Sequence, residues 1–167
     1  QGSLTPRVER PKVLIFAADH GVATAGVSAY PSSVTESMMS AFEAGLSTIN
    51  AFARIAGAEV TAVDVGIGRP TADIRLEPAM SEERFMEALE SGRQAVKDSD
   101  RDLLVLGEMG IGNTTSSAAI SCALFGGDAS DWVGRGTGID EDGLRRKREA
   151  VELAVKRIDG ASPPEIL

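Results

Sequence analysis

A chain of 167 residues is long enough to bury one real core and too short for two full domains, so it reads as one structural unit. A net charge of -8 with no long basic block argues against nucleic acid and anionic membranes as main partners, and any anion site must be local. The single Cys122 cannot make an internal disulfide, no apolar run approaches the about 20 residues of a membrane span, and the N-terminus lacks a basic-then-apolar leader pattern. A soluble, cytoplasmic protein is expected, with Cys122 a small buried side chain.

Lys12 to Ala18 is a continuous apolar run of strand length, closed by the polar turn Asp19-His20-Gly21, and it predicts a buried parallel strand. Ser33-Val34-Thr35-Glu36 has the form of a capping box. Behind it Met38, Met39, Phe42, Leu46, Ile49 and Phe52 keep helical spacing, which predicts one helix ending at Gly57. A second strand, Val60 to Val65, leads into Gly66-Ile67-Gly68, and a second helix starts from a cap at Ser81 with Phe85, Leu89 and Val96 on one face. A third strand covers Leu103 to Leu106. The final helix runs from Asp140 to Ile158, with Leu144, Val151, Val155 and Ile158 as its apolar stripe and Arg145 to Arg148 as the only basic cluster. This alternation predicts an α/β fold, a parallel Rossmann-like sheet with helices on both faces and a ligand site at the carboxyl ends of its strands.

The run Gly107-Glu108-Met109-Gly110-Ile111-Gly112-Asn113-Thr114-Thr115 joins the third strand to the small-residue helix Ser116 to Leu124. Glycines let a backbone approach a ligand, while free N–H groups, the hydroxyls of Thr114 and Thr115 and the helix dipole favour an anion such as phosphate. The spacing comes within one residue of a Walker A loop, but Asn113 stands where that loop has its lysine, which points to a monophosphate. A glycine-rich turn with a Thr cap and no ligand remains the plain alternative. Three other features join this loop at the same edge of the sheet: Asp19-His20, Asp64 with Gly66 and Gly68, and Gly134-Arg135-Gly136-Thr137-Gly138.

Taken in order, Phe16 to Val22, Gly26 to Pro31, Val34-Thr35, Val63 to Gly66, Gly107 to Thr115 and Gly134 to Gly138 resemble the nicotinate-nucleotide:dimethylbenzimidazole phosphoribosyltransferase family from about Arg10 to Leu167. The resemblance implies transfer of the phosphoribosyl group of nicotinate mononucleotide to 5,6-dimethylbenzimidazole or a related base, in a homodimer that makes the lower-ligand nucleotide of cobalamin. It implies that Gly110, Gly112, Asn113, Thr114, Thr115, Gly136, Thr137 and Gly138 hold the nucleotide, with Lys147 near its phosphate, Glu108 near the ribose or base, Asp19 and His20 at the same edge, and Ser28 and Tyr30 lining the base pocket. No metal or cofactor is expected.

Two departures stand out. Glu36 and Ser37 occupy the place where the family offers a glutamine near the base. The family's chains also extend well beyond this length, and its catalytic glutamate belongs to a C-terminal half with no counterpart here, so no catalytic base is named. A chain opening on Gln1 and closing on Ser162-Pro163-Pro164-Glu165-Ile166-Leu167 reads as part of something longer. A free-standing module that binds a nucleotide monophosphate without catalysis is the competing reading. A Walker-type ATPase is disfavoured by Asn113.

Overall fold

The computed structural model describes residues 4–97, 100–158 and 160–166, so Gln1 and Leu167 lie outside the described residues. Strands β1 (Pro11–Ala18), β2 (Glu59–Gly66) and β3 (Leu103–Met109) form an open parallel sheet in the order β2-β1-β3. β1 takes the centre because it is apolar on both faces: Val13, Leu14, Ile15 and Ala17 are all buried, with Val13 paired to Val60 on one side and Val105 on the other. At its start Asp102 accepts the amide of Glu9 at 2.6 Å and that of Arg10 at 3.0 Å, which aligns the first residues of β1 with β3. β3 runs on to Met109 rather than stopping at Leu106, so Gly107 and Glu108 are strand residues and the turn proper begins at Gly110.

Parallel strands need crossovers, and helices supply them. α1 (Ser33–Glu43) and α2 (Thr48–Ala56) join β1 to β2, and α3 (Glu82–Lys97) joins β2 to β3; all three pack against β2. After β3 come α4 (Asn113–Phe125), the short α5 (Ala129–Trp132), α6 (Glu141–Arg157) and the single turn α7 (Pro163–Ile166). The sheet is thus flanked by helices, as the alternation predicts.

The one helix expected between Ser33 and Gly57 is two. Gly45 adopts φ 73°, a left-handed conformation that stops α1, and Ser47 restarts the chain with a capping box to Asn50, leaving Leu46 exposed. Continuous apolar spacing hid a break that one glycine permits. The capping box expected at Ser33 is absent as well: the cap position is Ser32, its side chain makes no capping bond, and Thr35 is buried for another purpose described below.

Packing on the other side of the molecule rests on small residues. Ala118, Ala119 and Cys122 of α4 face Ala150, Val151 and Ala154 of α6 in one buried cluster with Val22, Val27, Ile74 and Ala129, so the two helices lie close together. Cys122 is buried and free, as expected. On α6 the buried positions are Gly143, Lys147, Ala150, Val151 and Ala154, a helical stripe that places Lys147 among the core-facing residues.

The turn after β1 lies directly on the glycine loop. A β-carbon on Gly110 would stand 2.5 Å from the carbonyl oxygen of Ala18 and 2.9 Å from the ring of His20. Backbone cannot give way there, so Gly110→Ala is expected to destabilise the fold by about 1–3 kcal/mol. Gly92→Ala on α3, where a β-carbon meets nothing within 4 Å, should instead stabilise by roughly 0.5–1 kcal/mol. Urea unfolding of the two variants checks the pair, and equal effects would contradict the close approach.

Candidate functional site

Three backbone turns meet at the carboxyl ends of the strands, and Asp19 ties two of them together. Its amide donates to Gly66 O at 3.3 Å, its carbonyl accepts from Thr71 N at 3.1 Å, and its Oδ2 accepts from Gly68 N at 2.9 Å, while the buried Oδ1 has no partner among the described residues. Asp64, by contrast, is spent on its own turn, where Oδ1 accepts the amides of Gly66 and Ile67, each at 2.8 Å. His20 follows Asp19, and its side chain lies against Gly110 and Gly112. Burial pushes its pKa below the ordinary histidine value, with Asp19 opposing that shift and Arg84 adding to it.

The ring of His20 also lines a cavity of about 620 Å³ together with Ile74, Phe85, Met86, Asn113 and Ile120. Its walls are mainly apolar and Lys147 is not among them.

The glycine loop works differently from its sequence expectation. The amide of Ile111 donates to Thr35 Oγ1 at 3.3 Å, that of Asn113 to Gly110 O at 3.1 Å, and those of Thr115 and Ser116 to Gly112 O at 2.9 and 3.4 Å. Most donors expected to face an anion therefore already have acceptors. Gly110 and Gly112 are required because another loop, the Asp19 to Ala23 turn, presses on them. Thr115 is fully buried, and among the described residues its hydroxyl has no partner. Thr114 is exposed.

Positive charge reaches the loop through α6. Lys147 is 2% exposed, and its ammonium donates to Thr114 Oγ1 at 2.7 Å and to Gly134 O at 3.1 Å. Among the described residues no carboxylate forms an ion pair with it, and burial lowers its pKa. An ammonium has three donors, so one remains after these two bonds. Gly136 lies beside it: a β-carbon there would stand 3.3 Å from Nζ and 3.4 Å from Thr114 Oγ1, and φ 54° suits glycine. The spacing in α6 carried this signal, since Lys147 stands three residues after Leu144 and four before Val151, yet lysine at such a position reads equally as a solvated face.

Ser28 and Thr137 meet across the same opening, Oγ to Oγ1 at 3.1 Å, and Arg146 Nε donates to Gly26 O at 3.1 Å from the next turn of the loop. Tyr30 is 56% exposed beside them, and Gly138 closes the opposite loop with φ 87°. Glu108 is exposed near the end of β3, in register with Phe16 of β1. The structure thus gathers Lys147, Thr114, Gly136, Thr137, Ser28 and Tyr30, sets Asp19 and His20 against the glycine loop, and buries Thr115. Thr35, which fastens α1 to the loop, was missed because a hydroxyl satisfied from a distant segment leaves no periodic trace.

A family model described as phosphoribosyltransferase matches residues 1–167. The chain belongs to the phosphoribosyltransferase family. It is 52% identical over 157 residues to a nicotinate-nucleotide–dimethylbenzimidazole phosphoribosyltransferase of Mesorhizobium japonicum, covering 94% of this chain and 46% of that protein. A relative of the same name from a Jannaschia species is 50% identical over 169 residues, covering 100% of this chain and 50% of its own length. The crystal structure of CobT from Thermus thermophilus superimposes with a TM-score of 0.92 at 42% identity, over 96% of this chain and 54% of that one. The chain therefore spans about half the length of these phosphoribosyltransferases.

The lowered pKa of His20 has a consequence for stability. The unfolded chain takes up the imidazole proton before the folded one, so the stabilisation is fully present above the ordinary value of 6.5 and declines as pH falls below it. Thermal unfolding followed across that window should show the decline in the unaltered chain and a shallower one in His20→Gln. Superimposable profiles would show that His20 is not held neutral by its surroundings.

Proposed function

We propose that this chain supplies the nucleotide-holding half of an enzyme that transfers the phosphoribosyl group of nicotinate mononucleotide to 5,6-dimethylbenzimidazole, in the assembly of cobalamin's lower-ligand nucleotide. A ring nitrogen of the base attacks the anomeric carbon with inversion, and the carbon–nitrogen bond to nicotinate breaks, its electron pair leaving with the pyridine. The base's ring proton then departs, giving α-ribazole 5′-phosphate. Residues of this chain bind and orient, and the proton acceptor lies in sequence outside it.

The observation that carries this reading is the buried ammonium of Lys147, with no carboxylate pairing it among the described residues and one donor left over beside Gly136. A buried cation without a partner is costly, and a single phosphate is the partner that the reaction brings. In this reading Thr114, Gly136, Gly138 and Lys147 hold the phosphate end, Gly110, Gly112 and Asn113 shape the floor, and Asp19 and His20 brace it. Glu108 serves the ribose or base, and Ser28 and Tyr30 border the base. The assembly is a cytoplasmic homodimer. Support for these finer points comes from the resemblance of the quoted motifs and from the lone buried Cys122. No helix among the described residues is long and apolar enough to cross a membrane.

Lys147→Met keeps the side chain's bulk and removes its charge. Loss of one charge-assisted bond of about 1.5–3 kcal/mol should weaken nicotinate mononucleotide roughly tenfold to a hundredfold. Thermal stability should hold or rise, because a desolvated charge is gone. Calorimetric titration of nucleotide and of free nicotinate checks this, with nicotinate the ligand expected to change little. Undiminished nucleotide affinity in the variant would overturn the assignment.

Turnover is a separate matter. The 167-residue chain alone should be silent or nearly so with both substrates, since a positioned base typically contributes about 10² to 10⁴ in rate. Supplying the remaining half of a relative, in cis or as a second polypeptide, should restore product formation measured by chromatography. Full turnover by the chain alone, abolished by Glu108→Gln, would make Glu108 the base.

A further inference from the structure

We infer that Thr137 is a positioning residue that couples the phosphate loop to the base loop, so that occupancy at Lys147 sets the hydrogen-bonding character of Ser28. The inference rests on the proposed function, and hydrogen-bond accounting carries it. Thr137 Oγ1 accepts the amide of Ala29 at 3.0 Å and lies 3.1 Å from Ser28 Oγ, while Ser28 Oγ accepts the amide of Tyr30 at 3.2 Å.

Two hydroxyls bring two hydrogens, and only one can lie between the two oxygens. The other is left over. If Ser28 donates to Thr137, the free O–H is on Thr137, next in sequence to Gly136 and therefore on the loop that abuts the Lys147 ammonium. If Thr137 donates to Ser28, the free O–H is on Ser28, in the loop that carries Tyr30. An anion on the Lys147 side takes a hydrogen from Thr137 and so fixes Ser28 as donor to Thr137, which leaves Ser28 facing the base as an acceptor. Neither loop changes shape; the direction of one bond does.

The strap is also mechanical. Ser28 and Ala29 lie 109 and 108 residues from Thr137 in sequence, and the second tie from Arg146 to Gly26 leaves from α6, the helix that carries Lys147. Thr137 itself is exposed and caps no helix, so its hydroxyl has no duty in the core.

The experiment uses the full-length protein with inorganic phosphate and dimethylbenzimidazole as probes, in the unaltered protein and in Thr137→Val and Thr137→Ser. Calorimetry should show phosphate changing the affinity for the base severalfold in the unaltered protein and in Thr137→Ser. In Thr137→Val that change should vanish, with phosphate affinity falling by less than in Lys147→Met. Hydrogen exchange at the Ala29 amide should slow on phosphate addition in the unaltered protein and quicken in Thr137→Val whether or not phosphate is present. Coupling unchanged in Thr137→Val, or absent in the unaltered protein, overturns the inference. Loss of phosphate affinity as large as in Lys147→Met would make Thr137 a principal phosphate ligand and overturns it too. Failure of the unaltered protein to bind phosphate or nucleotide at all overturns the proposed function and the coupling together, whereas phosphate binding without coupling overturns the coupling alone.

Discussion

Everything at the open edge of this sheet depends on how closely the turn after β1 presses on the loop after β3. Gly110 and Gly112 carry no side chains because the Ala18 carbonyl, His20, Val22 and Ala23 occupy that space. Backbone of Ala18 and Ala23 takes part in that contact alongside the side chains of His20 and Val22, and backbone has no rotamers to change, which holds the two turns at a fixed distance. β1 is held just as firmly from below, buried between two parallel neighbours. The site therefore stands on a floor with little freedom.

Charge is placed over that floor from a different direction. α6 is drawn against α4 by small residues, and the same helical stripe that buries Ala150, Val151 and Ala154 carries Lys147 inward until its ammonium reaches Thr114 and Gly134. The strong core-forming part of the helix thus offsets the cost of the lysine. Its lowered pKa records the strain of that position: the charged form has lost water and gained only neutral acceptors. A molecule with net charge -8 presents a poor field for an anion at long range, and in the proposed function the Lys147 ammonium beside Gly136 is the local exception.

Hydroxyls of α1 and of the loop before α6 complete the enclosure. Thr35 takes the Ile111 amide, and Thr137 takes the Ala29 amide, so each of the two loops at the opening is held by a threonine from the other side of the chain. Such bonds are individually modest, on the order of 1 kcal/mol. Their value here is geometric, because each fixes a segment that has no regular structure of its own. The mainly apolar cavity beside His20 is lined also by Asn113 at the start of α4.

Amino-acid order alone determined the three strands, the helices after them and the glycine loop, because apolar runs and helical spacing are local signals. It also determined the resemblance to a phosphoribosyltransferase family, carried by motifs that survive without any coordinates. It did not determine the break at Gly45, since apolar residues continue at helical spacing on both sides of it. Tertiary structure alone decided which donors remain free. The amides of Ile111, Asn113, Thr115 and Ser116 looked available in sequence, yet acceptors from the loop itself and from Thr35 consume them. It decided as well that Lys147 is buried and not solvated, and that Ser28 meets Thr137. The reason is the same in each case: hydrogen-bond satisfaction and desolvation are settled between segments as much as 109 residues apart, and a periodic pattern along one segment does not record what faces it from another.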